Sequence, residues 1–245
     1  MDNLSGRVAL VTGGAKRIGA AIVRELHARG MNVMIHYATS GKDAKALADE
    51  LNAQRHDSAA TVRADLAAAD VPDALVGEIC SRFGGLDLLV NNASIFPRRP
   101  LAALTREQWH AMVDVNLTAP LFLARSAAAV LAERKGSIVN LSDAYAARLP
   151  VGYGAYAATK AALVDLTRSL ARELAPDVRV NAVAPGAVLW PEPEPDEVAK
   201  RKMLAGVPLA RLGEPADLAR AAAFLAAEPY LTGVILPVDG GRSLA

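Results

Sequence analysis

Metal-binding residues are scarce in this sequence of 245 residues, which contains one cysteine and four histidines. A single cysteine, Cys80, excludes both an internal disulfide framework and a cysteine metal site. The histidines are far apart and lack the spacing of metal ligands; they are His27, His36, His56 and His110. We therefore expect no metal.

Net charge, aromatic residues and long apolar runs are also scarce. The formal net charge is +1 and aromatic residues make up 4% of the chain, so the basic surface of a nucleic-acid-binding protein is not expected. No window reaches about 18 uninterrupted apolar residues, the length of a membrane span. Residues 1–7 lack the basic-then-apolar order of a signal peptide. We expect a soluble, cytoplasmic protein that binds neither membrane nor nucleic acid.

Short apolar strands and amphipathic helices alternate along the chain. Strands are predicted at residues 8–12, 32–36, 60–63, 86–90, 137–141, 178–183 and 235–238. Helices are predicted at residues 18–29, 43–53, 71–83, 105–117 and 120–133, and from the segment around residue 156 to about residue 174. Strands that are apolar on both faces indicate a parallel sheet covered by helices on both sides.

The fold class that this order predicts is α/β, a Rossmann-type doubly wound sheet of about seven parallel strands. Nothing in the sequence looks like a linker, so residues 1–245 are predicted to form a single domain. The pattern loosens after residues 185–186, and alternating prolines in residues 190–196 forbid a helix or a central strand there.

Glycine and polar residues stand where the predicted strands end. They are Gly13, Asn92, Asp143 and Pro185, each from a different strand. In doubly wound sheets, ligands bind beyond the carboxyl ends of the strands. We expect these positions to converge on one site.

The stretch from residue 136 to residue 160 carries the strongest indication of chemistry. Tyr156 and Lys160 are four residues apart on a predicted helix and so lie on the same face. An ammonium within a few Å favours a phenolate and lowers the phenol pKa from about 10. Asp143, at the end of the preceding strand, could reach the same place. The pattern predicts a tuned acid/base; the alternative is a surface tyrosine beside a solvated lysine.

A glycine turn after the first strand indicates a dinucleotide site. Residues 12–19, TGGAKRIG, follow a strand and open a helix, although the glycines at 13, 14 and 19 depart from the strict spacing. Such a turn lets the backbone approach a pyrophosphate; a plain strand–helix turn is the alternative. Lys16, Arg17 and Ser40, with no acid after the second strand before Asp43, favour NADPH over NADH.

At this point the chain resembles the short-chain dehydrogenase/reductase family over essentially its whole length. The resemblance rests on TGGAKRIG at 12–19, DL at 65–66, NNAS at 91–94, Asn116, Tyr156 with Lys160, and PG at 185–186. It implies that Tyr156 is the catalytic acid, that Lys160 lowers its pKa and binds the nicotinamide ribose, and that Asn116 continues a proton relay. Taken alone, Asn116 is also typical of a helix-end cap.

The turn and the resemblance together predict an extended cofactor site. Asp65 is expected to hydrogen-bond the adenine, with a solvent-facing cap as the alternative. The predicted cofactor-binding residues are Gly13, Lys16, Arg17, Ile18, Gly19, His36, Tyr37, Ser40, Asp65, Leu66, Asn92, Ala93, Ser94, Tyr156, Lys160, Pro185 and Gly186.

Two departures from the common family pattern point to one branch. Asp143 stands thirteen residues before Tyr156, where a serine is usual, and the motif NNAS replaces NNAG. Both look like the pteridine reductase branch, as do GAKRIG, HYxxS, NNASxF and VDGGRSL. This resemblance implies that Arg17 contacts cofactor and pterin, that Phe96 stacks on the pterin and that Ser94 lies beside it.

The substrate site predicted in this way comprises Arg17, Ser94, Phe96, Asp143, Tyr156 and Trp190. Trp190 belongs to a substrate loop at about residues 187–206, where it would either wall the pocket or anchor the loop. The catalytic set is Asp143, Tyr156, Lys160 and Asn116.

The first functional hypothesis is NADPH-dependent reduction of a pterin C=N bond, of the dihydrobiopterin or dihydrofolate type. The alternatives are a carbonyl reductase acting on 3-oxoacyl thioesters, sugars or steroids, and a regulator that senses NADP(H) without turnover. Family resemblance also implies a homotetramer built through the alanine-rich helices near residues 105–133 and 153–174. Which pterin is preferred stays open.

Overall fold

Seven parallel strands form one sheet in the computed structural model, which describes residues 4–190, 194 and 196–244. The strands are β1 (Val8–Val11), β2 (Asn32–Tyr37), β3 (Ala59–Arg63), β4 (Leu88–Asn91), β5 (Ser137–Leu141), β6 (Arg179–Pro185) and β7 (Ile235–Val238). Their order is β3-β2-β1-β4-β5-β6-β7, and every pair is parallel. The predicted single-domain, doubly wound fold is confirmed.

Eight α-helices cover the two faces of the sheet within the described residues. They are α1 (Arg17–Ala28), α2 (Gly41–Gln54), α3 (Val71–Phe83), α4 (Arg106–Val113), α5 (Ala119–Glu133), α6 (Gly154–Glu173), α7 (Glu197–Ala205) and α8 (Pro215–Ala227). Two apolar layers result, because successive strand residues point to opposite faces. In β1, Ala9 and Val11 join the layer under α1 and α8, whereas Val8 and Leu10 join the layer under α3 and α5.

Two helices that the sequence pattern did not predict, α7 and α8, follow β6. The apolar side of α8 consists mostly of alanines. Ala222 and Ala223 are fully buried, and their small side chains allow the helix to pack closely. Glu214 and Asp217 form a capping box that begins α8. Of the proline-rich residues 190–196, residues 191–193 and 195 lie outside the described part of the chain.

The two helices predicted at 105–117 and 120–133 are joined end to end. A π-helical turn, Asp114–Thr118, connects α4 to α5 and contains the buried Asn116. Pro120 explains the irregularity, because it has no N–H to donate to the Asn116 carbonyl four residues earlier. The widened turn displaces Asn116 from the regular helix and directs it into the protein.

The continuous helix Arg106–Glu133 is, among the described residues, the one helix long and apolar enough to cross a membrane by length and composition. Its apolar content has another use here. Leu123, Ala124, Ala127 and Leu131 are fully buried in the layer between α5, α3 and the sheet. Core packing therefore accounts for these residues.

An arginine at the start of β6 ties the sheet to the end of α8. The guanidinium of Arg179 donates hydrogen bonds to the carbonyls of Leu225 (2.8 Å), Ala226 (2.6 Å) and Leu231 (3.3 Å). Replacing Arg179 by methionine should lower the free energy of unfolding by about 2–3 kcal/mol, because it leaves these carbonyls without donors. Chemical denaturation measures the loss. Arg172→Met, at an exposed position in α6, is the matched control, and an equal loss in both variants would contradict this role.

Candidate active site

The loops that follow β1, β4, β5 and β6 meet in one cavity of about 770 Å³, as the positions of the strand ends predicted. Residues from α6, α7 and the turn after β7 complete its wall. The lining includes Arg17, Ile18, Asn92, Ser94, Phe96, Arg98, Asp143, Tyr145, Tyr153, Tyr156, Lys160, Pro185, Gly186, Leu189, Met203 and Arg242.

The glycine turn after β1 requires glycine at two positions, one for its backbone conformation and one for lack of space. Gly13 has a φ of +60°, which favours glycine. A Cβ on Gly19 would lie 2.2 Å from the Gly13 carbonyl oxygen and 2.7 Å from Nδ2 of Asn92. The amide of Asn92 donates to the carbonyls of Thr12 (2.9 Å) and Gly13 (3.1 Å). The loop after β4 therefore holds the turn in place.

His36, in β2, holds the same turn through a hydrogen bond with the backbone of Gly13. The Gly13 N–H donates to its Nδ1 (3.1 Å), so Nε2 carries the proton and donates to the Ala64 carbonyl (3.1 Å). Burial lowers the pKa of His36 and keeps the imidazole neutral at pH 7. Both ring nitrogens are used within the protein, so this predicted cofactor residue is placed to position the turn.

The two cationic residues of the turn differ in their surroundings: Lys16 faces α2 and Arg17 faces the cavity. Lys16 is exposed and forms an ion pair with Asp43, the acid in the first turn of α2 (3.0 Å). Arg17 begins α1 with a φ of +52° and lines the cavity beside Ile18. A positive φ is uncommon for arginine, so the turn imposes it.

The other predicted cofactor residues stand around the rim beyond β2, β3, β4 and β6. Tyr37 and Ser40 are half-buried between β2 and α2, Asp65 is exposed after β3, and Leu66 is buried beside it. The carboxylate of Asp65 accepts from the Ala67 N–H (3.1 Å), as a turn cap would. The remaining four lie in or next to the cavity wall: Ala93, Ser94, Pro185 and Gly186.

The structure joins Tyr156 and Asp143 directly. The Tyr156 hydroxyl donates to Oδ2 of Asp143 (3.1 Å), and Oδ1 accepts from the Tyr145 N–H (2.7 Å). Burial raises the pKa of the Asp143 carboxyl, against the opposing effect of these two hydrogen bonds. Burial also raises the pKa of the Tyr156 phenol, and the neighbouring charge of Asp143 raises it further. The phenol is therefore a neutral donor.

Lys160 does not act on Tyr156 as the sequence led us to expect. Its ammonium is buried and donates to the Leu141 carbonyl at the end of β5 (2.7 Å), while lying 5.7 Å from the centre of the Tyr156 ring. Burial lowers the pKa of Lys160 to about 8. The expected lowering of the Tyr156 pKa is wrong for this arrangement, because the carboxyl contacts the phenol and the ammonium does not.

Asn116 ties three segments together from the π-helical turn. Its Oδ1 accepts from the Ser94 hydroxyl (3.1 Å) and the Ile95 N–H (2.9 Å). Its Nδ2 donates to the Ile95 carbonyl (3.0 Å) and to Oγ1 of Thr159 (3.2 Å), whose hydroxyl donates to the Tyr156 carbonyl (2.8 Å). The side chain thus fixes the loop after β4 against the helix that carries Tyr156.

Three aromatic rings form one wall of the cavity. The Phe96 ring stacks on Tyr153 with centres 4.5 Å apart and meets Tyr156 edge to face at 4.4 Å. Phe96 keeps 48% of its surface exposed. Much of its ring is therefore open to a planar ligand, as a stacking role requires.

Trp190 is placed outside the cavity wall, unlike the other predicted substrate residues. Its ring lies near the ammonium of Lys200 in α7, 5.6 Å from the ring centre. Leu189 and Met203, on either side of it in sequence, supply the lining instead. Of the two roles considered, this position fits anchoring of the loop.

Sequence reasoning missed several lining residues. Tyr153 was detectable, since it precedes Tyr156 by one helical turn. Arg242 lies in the VDGGRSL motif, but it stands 99 residues after Asp143, and only the position of β7 in the sheet beside β6 shows that it reaches the site. Its guanidinium lies over the Tyr145 ring, 4.2 Å from the centre, and its charge partly opposes the rise in the Asp143 pKa that burial causes.

Comparison with known proteins finds matches over nearly the whole chain. Residues 13–243 match a family model described as Enoyl-(Acyl carrier protein) reductase. The 3-oxoacyl-[acyl-carrier-protein] reductase FabG of Staphylococcus aureus is 40% identical over 239 residues, which cover 95% of this chain and 96% of that protein.

Two solved structures resemble this chain to the same degree. One is a blue fluorescent protein from a metagenomic library in complex with NADPH, 37% identical with a TM-score of 0.91, covering 98% of this chain and 99% of that one. The other is FolM Alternative dihydrofolate reductase 1 from Brucella canis complexed with NADP, also 37% identical with a TM-score of 0.91, covering 99% and 96%.

Proposed function

This chain belongs to the short-chain dehydrogenase/reductase family, and we propose that, as an NADPH-dependent oxidoreductase, it reduces a C=N bond of a dihydropterin or dihydrofolate. The hydrogen bond between Tyr156 and Asp143 inside the cavity carries this proposal. Reduction of C=N delivers a proton to nitrogen, and a buried carboxyl with a raised pKa is suited to supply it. The similarity to an alternative dihydrofolate reductase supports the same substrate class.

The cofactor is NADPH, and the glycine turn fits its pyrophosphate. A Cβ at Gly19 would strike the Gly13 carbonyl and the amide of Asn92, so glycine there keeps the turn tight at the start of α1, where a pyrophosphate would bind. Arg17 and Lys16 would hold the cofactor phosphates. The ion pair of Lys16 with Asp43 is solvent-exposed and weak, so it does not prevent this. Both structural relatives named above are complexes with NADPH or NADP.

Replacing Gly19 by alanine should weaken NADPH binding by at least about tenfold, the equivalent of about 1.4 kcal/mol. The added methyl group would displace the Gly13 carbonyl or the amide of Asn92, and either shift distorts the turn. Calorimetric titration with NADPH measures the effect.

Gly77→Ala is the matched control for that substitution. Gly77 is an exposed residue of α3, and a Cβ there meets no atom within 4 Å. The control variant should bind NADPH like the wild type and gain about 0.5–1 kcal/mol of stability, because alanine favours a helix. Equal affinity in both variants would show that the turn tolerates a side chain.

Asp143, Tyr156 and Tyr145 have different roles in delivering the proton to the substrate. The nicotinamide, when bound, supplies the hydride. Asp143, protonated, donates to the substrate nitrogen through one carboxyl oxygen. The Tyr156 hydroxyl and the Tyr145 N–H, which already hydrogen-bond to this carboxyl, stabilise the carboxylate that forms.

Lys160 and Asn116 hold this arrangement together. Lys160 donates a hydrogen bond to the carbonyl of Leu141, the last residue of β5. Asp143 follows two residues later, so this bond fixes the backbone that carries Asp143. Asn116 fixes the backbone under Tyr156 through Thr159. Each is a positioning residue for the Asp143–Tyr156 pair, and Lys160 would also contact the nicotinamide ribose.

A carbonyl reductase acting on 3-oxoacyl thioesters is the second candidate. The 40% identity to a 3-oxoacyl-[acyl-carrier-protein] reductase favours it. The site geometry favours it less, since a carboxyl bonded to Tyr156 raises the pKa of the phenol that such an enzyme uses as its acid. Sugars and steroids are further ketone substrates of this class.

Anaerobic NADPH oxidation by the purified protein separates these functions. Dihydrobiopterin and dihydrofolate are compared with an acetoacetyl thioester at equal concentrations. We expect turnover with a pterin and little with the thioester. Turnover with the thioester alone would move the protein to the carbonyl reductases. NADPH binding without any turnover would favour a non-catalytic sensor.

We also propose a homotetramer. Leu121 and Phe122 on α5 each leave 38% of their surface exposed, and Phe224 on α8 leaves 48%. Because α5 and α8 lie on opposite faces of the sheet, these apolar side chains would supply two separate subunit contacts, as a tetramer requires. Light scattering measures the mass.

A further inference from the structure

Two arginines of the cavity wall are left over once the proposed chemistry has been assigned. Arg17 is assigned to the cofactor and Lys160 to the Asp143–Tyr156 pair, but Arg98 and Arg242 have no such role. They come from the loops after β4 and β7, on either side of the loop after β5 that carries Asp143.

Arg98 is held in place without a carboxylate. Its Nε donates to the Val151 carbonyl (3.2 Å), and the adjacent Arg99 N–H donates to the Gly152 carbonyl (2.7 Å). A Cβ on Gly152 would lie 2.9 Å from Cγ of Arg98, so the arginine stem packs on this glycine. Its terminal nitrogens make no hydrogen bond or ion pair to any residue that the structure describes.

Arg242 also lacks a carboxylate partner in the described part of the chain. It lies over the Tyr145 ring. The nearest carboxylate in sequence, Asp239, is already engaged by the N–H groups of Gly241 (2.9 Å) and Ser243 (2.8 Å). The oxygens of Asp143 are taken by Tyr156 and Tyr145.

We propose that Arg98 and Arg242 select substrates that carry an anionic group, a carboxylate or a phosphate, away from the atom that is reduced. Guanidinium groups bind both kinds of anion through paired N–H donors. Arg98 is exposed and Arg242 is half-buried, so both guanidinium groups can be reached by a ligand in the cavity. The choice of anion rests on the proposed function: we expect it to be the glutamate carboxylates of dihydrofolate.

Binding to the NADP⁺-loaded protein tests this independently of turnover. Two ligand pairs are matched in their reacting group and differ in charge: dihydrofolate with dihydrobiopterin, and acetoacetyl-coenzyme A with the acetoacetyl thioester of N-acetylcysteamine. Calorimetry gives Kd for each ligand. The first pair supplies the anion as a carboxylate and the second as a phosphate, so the two sources are separated even if pterins are not substrates.

The double variant Arg98→Gln/Arg242→Gln should raise the ratio of Kd for the anionic ligand to Kd for its neutral partner by at least about tenfold. The double control Arg106→Gln/Arg172→Gln removes the same two charges from exposed positions in α4 and α6 and should leave the ratio unchanged. In the wild type, raising the ionic strength should weaken the anionic ligand selectively. An unchanged ratio in the double variant, or no binding of either anionic ligand to the wild type, would overturn the proposal.

Discussion

Replacing Tyr156 by phenylalanine should lower kcat/KM for the dihydropterin by about 10²-fold, because the carboxylate that Asp143 forms in the reaction loses one of its two hydrogen-bond donors. The substitution keeps the ring that meets Phe96 at 4.4 Å and removes only the hydroxyl that donates to Asp143. KM should therefore change little while kcat falls. Stopped-flow measurement of a single turnover shows whether the loss lies in the chemical step.

Tyr153→Phe is the matched control for that variant. Tyr153 contributes a ring to the same aromatic wall, but its hydroxyl makes no hydrogen bond within the described residues. It should retain most of the wild-type activity. Comparable losses in the two variants would mean that the wall needs tyrosine for its shape, and that Tyr156 is not the source of the hydrogen bond that matters.

The architecture could be predicted because each strand has a local pattern. Residues 8–11 (VALV), for example, are apolar at every position, and only a sheet covered on both faces buries them. The topology then brings the strand ends together, which is why Asn92, Asp143 and the glycine turn were expected in one site before their contacts were visible.

The remaining features depend on tertiary contacts that have no local pattern. The alanine-rich face of α8 packs against β6 and α1, and this packing, which explains the alanines, is visible only in the folded structure. His36 was predicted to bind the cofactor, and only its bonds to Gly13 and Ala64 show that it positions the glycine turn. Whether the pKa of Tyr156 is raised or lowered depends on whether Asp143 or Lys160 contacts the phenol. Helix spacing alone predicted that Lys160 would be the contacting residue.

Asp143→Asn should reduce pterin turnover by about 10²-fold, because an amide of the same shape has no acidic proton. In the wild type, kcat/KM should fall as the pH rises through the raised pKa of Asp143, since the protonated carboxyl is the donor and disappears above that pKa. The variant should lose this limb of the pH profile. A profile that keeps the limb would assign it to another group.

Asp143→Ser tests the same carboxyl from the opposite side, through the ketone reaction. Two of the three causes that raise the Tyr156 pKa are the charge of Asp143 and the hydrogen bond to it, so removing the carboxyl should bring the phenol closer to its ordinary pKa. Turnover of the acetoacetyl thioester should then hold or rise while pterin turnover falls by about 10²-fold. The ratio of the two kcat/KM values is the measurement, because it cancels differences in folded fraction between preparations. A loss of both activities in equal proportion would mean that the carboxyl supports the site as a whole and does not determine its substrate.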